Sequence, residues 1–155
     1  MIPADEIAQF LYREARLADE HQYDAWEALW TDDAVYWVPA AIDSDPEHQI
    51  SIIYDNRTRI ALRVRQLKSS TRHAQNPPSS VRHLITNIEP LGSKDPDMLV
   101  GANFLAIESR ERGTLVWAGR TEYHLRRESE GLRMARKKVL LVDCDRPLHT
   151  MAFLI

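Results

Sequence analysis

The sequence predicts an α+β protein in which N-terminal helices pack on a long, strongly curved antiparallel sheet. Three observations carry that expectation. Apolar residues recur at helical spacing as far as about residue 67, and beyond residue 80 the period changes to alternation. The alternating runs are joined by short breaks, not by helices, which separates α+β from alternating α/β. The length of 155 residues suits one domain over 1–155, large enough to bury roughly two thirds of its unfolded surface.

Asp5 is positioned to cap a helix through about residue 20, with Ile7, Phe10, Leu11, Ala15 and Ala18 as its apolar stripe. A second helix is expected over Asp24 to Trp30, ended by Thr31-Asp32-Asp33. Ala34 to Val38 then reads as a short strand stopped by Pro39. Residues 40–48 are acidic and irregular. A third helix is expected over about 49–67, with Ile50, Ile53, Tyr54, Ile60, Ala61, Val64 and Leu67 at helical spacing. Residues 68–80, marked by Pro77-Pro78, read as a loop. Val81 to Glu89, Met98 to Arg110, Thr114 to Arg127 and Leu132 to Asp143 suit strands, separated at Pro90-Leu91-Gly92, Arg112-Gly113 and Ser129-Glu130-Gly131. Leu115, Trp117, Thr121, Tyr123 and Leu125 share one phase; Arg120, Glu122, His124 and Arg126 share the other. A last strand is expected over His149 to Ile155.

Composition narrows the chemistry. An apolar fraction of 44% and a charged fraction of 28% are those of a soluble globular protein. The start, MIPADEIAQF, has neither the basic region nor the apolar run of a signal peptide or membrane anchor. The single cysteine, Cys144, excludes an internal disulfide framework and a four-cysteine or two-cysteine, two-histidine metal site; a cytoplasmic location follows as the default. Cys144 stands between Asp143 and Asp145, which disfavour a thiolate, so a small buried side chain is expected there. None of the five glycines forms a phosphate or dinucleotide loop, and neither G-x-S-x-G nor H-E-x-x-H occurs.

The net charge of −3 is unevenly spread: residues 1–50 hold 12 acids and 2 bases, residues 51–155 hold 11 acids and 18 bases. Such asymmetry suits complementary contacts between copies or with a partner. The bases are scattered, which argues against nucleic acid. In Arg133, Arg136, Lys137 and Lys138, residues 136 and 138 share a strand face and 137 takes the other, so no continuous basic groove is implied.

The polar residues admit two readings. In the catalytic one, His83 is held by Asp32 or Asp33, with His124 as a second base and Tyr36 or Tyr54 as hydroxyl donors, acting on a small organic substrate in a concave pocket. In the structural one, Asp33 caps a turn, His83 is hydrogen-bonded in the core and His124 lies on a polar sheet face. A pocket that binds a small ligand without a proton-transfer pair is a third possibility. Asp55, Arg59 and Arg63 fall at i, i+4 and i+8, the spacing of a carboxylate–guanidinium ladder on a helix. Arg82 is placed to clamp the proline loop or to reach across a subunit boundary. The apolar run HTMAFLI suits docking in the sheet, with an oligomer contact as the alternative.

Nearly the full chain resembles the small, or beta, subunits of aromatic-ring-hydroxylating Rieske non-haem iron dioxygenases. The resemblance lies in AQFLYREARLADEHQYDAWEALWTDDAVYWVP, SIIYDNRTRIALRV and PPSSVRHLITNIE, with weaker support from ARKKVLLVD and the apolar end. Asp55, Arg59 and Arg63, followed by Pro78, Arg82, His83 and Asn87, are specific as a set. Ser80 departs from the family, whose members often carry arginine there.

The resemblance implies a cone-shaped fold like that of nuclear transport factor and scytalone dehydratase. It also implies a non-catalytic subunit beside a larger alpha subunit, as a beta trimer within an α3β3 complex. The alpha subunit is then expected to hold the Rieske [2Fe-2S] cluster and mononuclear iron, to receive NAD(P)H-derived electrons through ferredoxin or reductase, and to dihydroxylate an aromatic substrate with O2. Asp55, Arg59, Arg63, Arg82, His83 and Asn87 become candidates for structural or interface contacts, and this chain carries no cofactor. The rival remains a stand-alone dehydratase or isomerase using His83 with Asp32 or Asp33, or a ligand-binding cone protein.

Overall fold

The computed structural model describes residues 1–70 and 80–155. Its elements run α1 (Ala4–Asp19), α2 (Tyr23–Glu27), β1 (Trp30–Pro39), β2 (Ser51–Asn56), α3 (Arg57–Ser70), β3 (Ser80–Lys94), β4 (Asp97–Arg110), β5 (Gly113–Glu128) and β6 (Gly131–Leu141). The strands form one curved sheet in the order β2-β1-β6-β5-β4-β3. The helices cover its inner face, α1 against β3 and α3 against β1 and β2. The α+β class is as expected, but the sheet is mixed: β1 runs parallel to β6, and the other neighbouring pairs are antiparallel. The chain enters the sheet after α2 as its second strand, and five elements separate β1 from β6, a connection long enough to permit the parallel pair.

In α1 the stripe Ile7, Phe10, Leu11, Ala15 and Leu17 is buried as its spacing requires. The helix begins one residue before Asp5. Pro3 holds the cap position, with no side-chain cap, and Asp5 and Glu6 instead place negative charge in the first turn, where the helix dipole favours it. His21, at φ 57, closes the other end: its N–H reaches Ala18 O and the N–H of Gln22 reaches Leu17 O.

The second expected helix is too long by three residues. Trp30 belongs to β1, paired with Met134, because Leu29 O accepts the Met134 N–H at 2.7 Å and draws the chain into the sheet. Thr31-Asp32-Asp33 is therefore an irregularity within β1, not a helix stop. The third expected helix is corrected more deeply. Residues Ser51–Asn56 are a strand, pairing Tyr36 with Asp55, Trp37 with Tyr54 and Val38 with Ile53. Asn56 Oδ1 accepts the Arg59 N–H at 3.0 Å and starts α3 at Arg57. Ile60 and Val64 then bury the helix, with Leu67 packed beside them.

Beyond the helices, β4, β5 and β6 occupy the runs read from alternation. β3 continues through Pro90-Leu91-Gly92, where a break was expected. The ladder bulges there and at Thr86–Glu89, with Asn87 at φ 53 and Gly92 at φ 131. Pro90 is tolerated because β3 lies at a sheet edge. The expected proline loop falls on residues 71–79, outside the described residues, while 68–70 complete α3 and Ser80 opens β3. Cys144 is buried, as expected. His149 to Ile155 is not a strand; the segment lies across the inner face, where side-chain packing replaces ladder pairing. Among the described residues, no helix is long and apolar enough to cross a membrane.

Candidate functional site

The interior of the cone is filled by side chains that the elements above aim at one another. Trp26 from α2 and Trp30 and Tyr36 from β1 form a ring cluster, with centroids 5.4 Å (Trp26–Trp30), 6.0 Å (Trp26–Tyr36) and 5.5 Å (Trp30–Tyr36) apart. Against them lies a buried ion pair: Lys137 Nζ donates to Glu14 Oε1 at 2.6 Å, and Trp26 Nε1 donates to the same oxygen at 3.0 Å. The Lys137 ammonium also stands 5.8 Å from the Tyr36 ring and 5.9 Å from that of Tyr123. Sequence reasoning set Lys137 on the face opposite Arg136 and Lys138, where it lies, but missed Glu14 as its partner. The available signal was Glu14 itself, a charged residue inside the apolar stripe of α1.

Burial pushes both the Tyr36 and Tyr123 phenols up, Tyr123 well above the ordinary tyrosine value, so each stays protonated. Tyr36 Oη donates to Ile155 O at 2.6 Å and accepts the Ile155 N–H at 3.1 Å, tying the last residues into the cone.

His83 projects from β3 toward the end of α1. Its Nδ1 lies 2.5 Å from Asp19 Oδ1, and its backbone N–H donates to Asp19 Oδ2 at 2.8 Å. The two side chains are only 7% and 3% exposed. The expected pairing with Asp32 or Asp33 is thus corrected to Asp19. Asp33 is turned toward Thr31 and Arg126 by the irregular start of β1, with Arg126 Nη1 at 2.9 Å from its Oδ1, and these contacts hold its carboxyl below the usual range. Asp32 is exposed. Phe153 covers the His83 ring at 6.0 Å and Phe104 stands 6.3 Å away.

The remaining candidates are dispersed. His124 lies on the outer face of β5, its Nδ1 3.8 Å from Asp97 Oδ2. Burial pulls its pKa down, with the Arg136 charge adding to the effect and Asp97 opposing it. Tyr54 also faces outward, edge-on to Trp37 at 6.1 Å. Asp55 and Arg63 do pair, Nε to Oδ2 at 2.6 Å, but across the corner from β2 to α3 and not along one helix. Arg59 stands exposed outside that pair, so the three-residue ladder does not form. Arg82 is exposed, 3.7 Å from Glu20. Asn87 makes the bulge in β3 and lines a groove of about 1040 Å³ on the flank, whose walls include Ile7, Ile85, Ile88 and Met98.

Arg136 and Lys138 lie on the outer face over the Trp37 ring, at 5.3 and 4.8 Å, while Lys137 points inward as the alternation requires. Among the described residues, no three His, Cys, Asp or Glu side chains converge as metal ligands. One cysteine cannot supply the two that a Rieske cluster takes with its two histidines.

The outer face of β3, β4 and β5 is unlike the interior. Leu84 pairs with Leu105, and Ile107 with Val116, forming an apolar patch across three strands. These four side chains are between 41% and 64% exposed.

Comparison with known proteins shows the family. Residues 13–145 match the family described as ring hydroxylating beta subunit. The small oxygenase component of the p-cumate 2,3-dioxygenase system of Pseudomonas putida is 31% identical over 143 residues, covering 90% of this chain and 79% of the relative. The crystal structure of the benzoate 1,2-dioxygenase beta subunit from Burkholderia mallei superposes with a TM-score of 0.81 at 30% identity, covering 91% of each chain. An NTF2-like protein with a cystatin-like fold from Novosphingobium aromaticivorans shares the fold at a TM-score of 0.62 and 17% identity, covering 90% of this chain and 81% of that one. A small component implies a larger partner. The chain belongs to the beta subunits of the aromatic-ring-hydroxylating dioxygenases.

Proposed function

We propose that the whole chain acts in the cytoplasm as one non-catalytic structural unit, a trimeric base that holds larger alpha subunits in an α3β3 complex. In this reading the alpha subunits carry the Rieske cluster and the mononuclear iron and take electrons from ferredoxin or reductase. They use O2 to dihydroxylate an aromatic substrate, in the manner named for the p-cumate and benzoate relatives. The observation that carries the proposal is the apolar row Leu84, Leu105, Ile107 and Val116 on the outer face, set against an interior already packed.

Copies of this chain are the occupants assigned to that row. The acidic segment around Asp43, Asp45 and Glu47 and the basic half of the chain give neighbouring copies complementary charge. Arg82 and Arg59, both exposed, are the interface residues in this reading. Asp55, Arg63 and His83 are internal supports, and Asn87 shapes the β3 bulge. The dehydratase alternative is disfavoured because His83 is committed to Asp19 and covered by Phe153.

Native mass spectrometry of the chain purified with its partners tests the assignment. A complex containing three copies and a larger iron–sulfur subunit is the expected result. A monomer that turns over a small organic substrate by itself would overturn it.

A further inference from the structure

Phe153 occupies a seat that other features of the cone make suitable for a ligand. Across three strands, His83 pairs with Ala106 and Ala106 with Trp117, so a small residue stands between two large rings. The hollow above Ala106 is filled by the Phe153 ring, edge-on to His83 at 6.0 Å and to Trp117 at 5.5 Å. Phe153 comes from a segment with no ladder pairing, held by Tyr36 on Ile155 and by Arg110 Nη2 donating to Thr150 O.

Beside this seat is Glu108, two residues along β4 from Ala106 on the same face and completely buried. Its Oε1 accepts from Trp117 Nε1 at 3.2 Å and lies 2.9 Å from Arg110 Nε. Its Oε2 has no partner among the described residues. A buried carboxylate oxygen without a donor is costly, and its presence beside an aromatic seat marks a place where a donor fits.

We propose that this seat is a binding site for a single-ring aromatic bearing a hydrogen-bond donor, a phenol, which takes the place of the Phe153 ring and donates its O–H to Glu108 Oε2. The rings of His83, Phe104 and Trp117 supply edge-to-face contacts, and Ala106 supplies the floor. The Glu108 charge turns away ring carboxylates such as benzoate. The site binds and involves no reaction, so it stands or falls independently of the assembly role.

The test is calorimetric titration of the full chain and its Phe153→Ala variant with phenol, toluene and benzoate. A vacated apolar seat accepts a ring of matching size, so Phe153→Ala binds phenol about tenfold or more tightly than the parent chain. Toluene lacks the donor and binds about fivefold more weakly than phenol, the effect of one hydrogen bond, and benzoate does not bind. Folded Phe153→Ala with no gain for phenol, or with toluene equal to phenol, overturns the proposal. Should that variant not fold, the parent chain decides: phenol up to its solubility limit shifts the indole N–H resonance of Trp117, assigned through Trp117→Phe. An unmoved resonance overturns the site.

Discussion

The two faces of the sheet are built to opposite standards. On the inner face most polar side chains are matched, Glu14 with Lys137 and Trp26, Tyr36 with Ile155 and His83 with Asp19. Trp30 Nε1 and Glu108 Oε2 are the buried side-chain atoms left without a partner among the described residues. On the outer face Leu84, Leu105, Ile107 and Val116 stay exposed and meet no covering element among the described residues, although they lie in register on neighbouring strands. An enzyme of this shape needs an accessible interior; a supporting subunit needs an adhesive exterior. In the proposed reading this chain acts through its surface, and each half of the contrast can be attacked separately.

The largest expected effect is inside. Lys137→Met leaves the Glu14 carboxylate buried without its cation and is expected to cost about 3 to 5 kcal/mol in urea unfolding, whereas Glu14→Leu with Lys137→Met recovers most of that loss. A single variant as stable as the parent would show that the interior is wetter than its packing implies. Next is the latch between α1 and β3. Asp19→Ala removes two hydrogen bonds from His83 and is expected to lower stability by about 1–3 kcal/mol by the same measurement.

Arg82→Ala sharpens the contrast from the other side. The exposed pair with Glu20 is worth little, so the isolated chain changes by no more than about 0.5 kcal/mol while light scattering shows a weakened complex with the alpha partner. The smallest effect is at His124. Its folded-state pKa lies below the ordinary value, so the unfolded chain takes up more protons in the window beneath about 6.5, and stability falls as the pH drops through it. His124→Asn is expected to flatten that slope in melts between pH 5 and 7.

What the sequence revealed follows from the range of the forces involved. The strands β4 to β6 were legible because alternation persists over their whole length, and the stripe of α1 because its period repeats through four turns. Ser51–Asn56 was misread because Ile52, Ile53 and Tyr54 make a short apolar run that fits helix or strand, and only pairing with β1 decides between them. Asn56, a good cap residue just before a run of helix formers, was the local clue to the boundary. The site was less legible. Asp19 meets His83 across 64 residues, and Phe153 reaches both His83 and Trp117 from the far end of the chain; no spacing rule spans such distances. The outer apolar row was hidden for a different reason, since an alternating strand shows which residues share a face but not which face stays uncovered.

The most direct test of the contrast measures complex mass and melting temperature together, for one variant of each face mixed with the alpha partner. Leu105→Glu with Ile107→Glu is expected to melt close to the parent chain yet fail to form the large complex. Phe153→Ala is expected to melt lower yet assemble as the parent does. Full assembly of the outer-face variant, with assembly lost only when the interior is changed, would contradict the account.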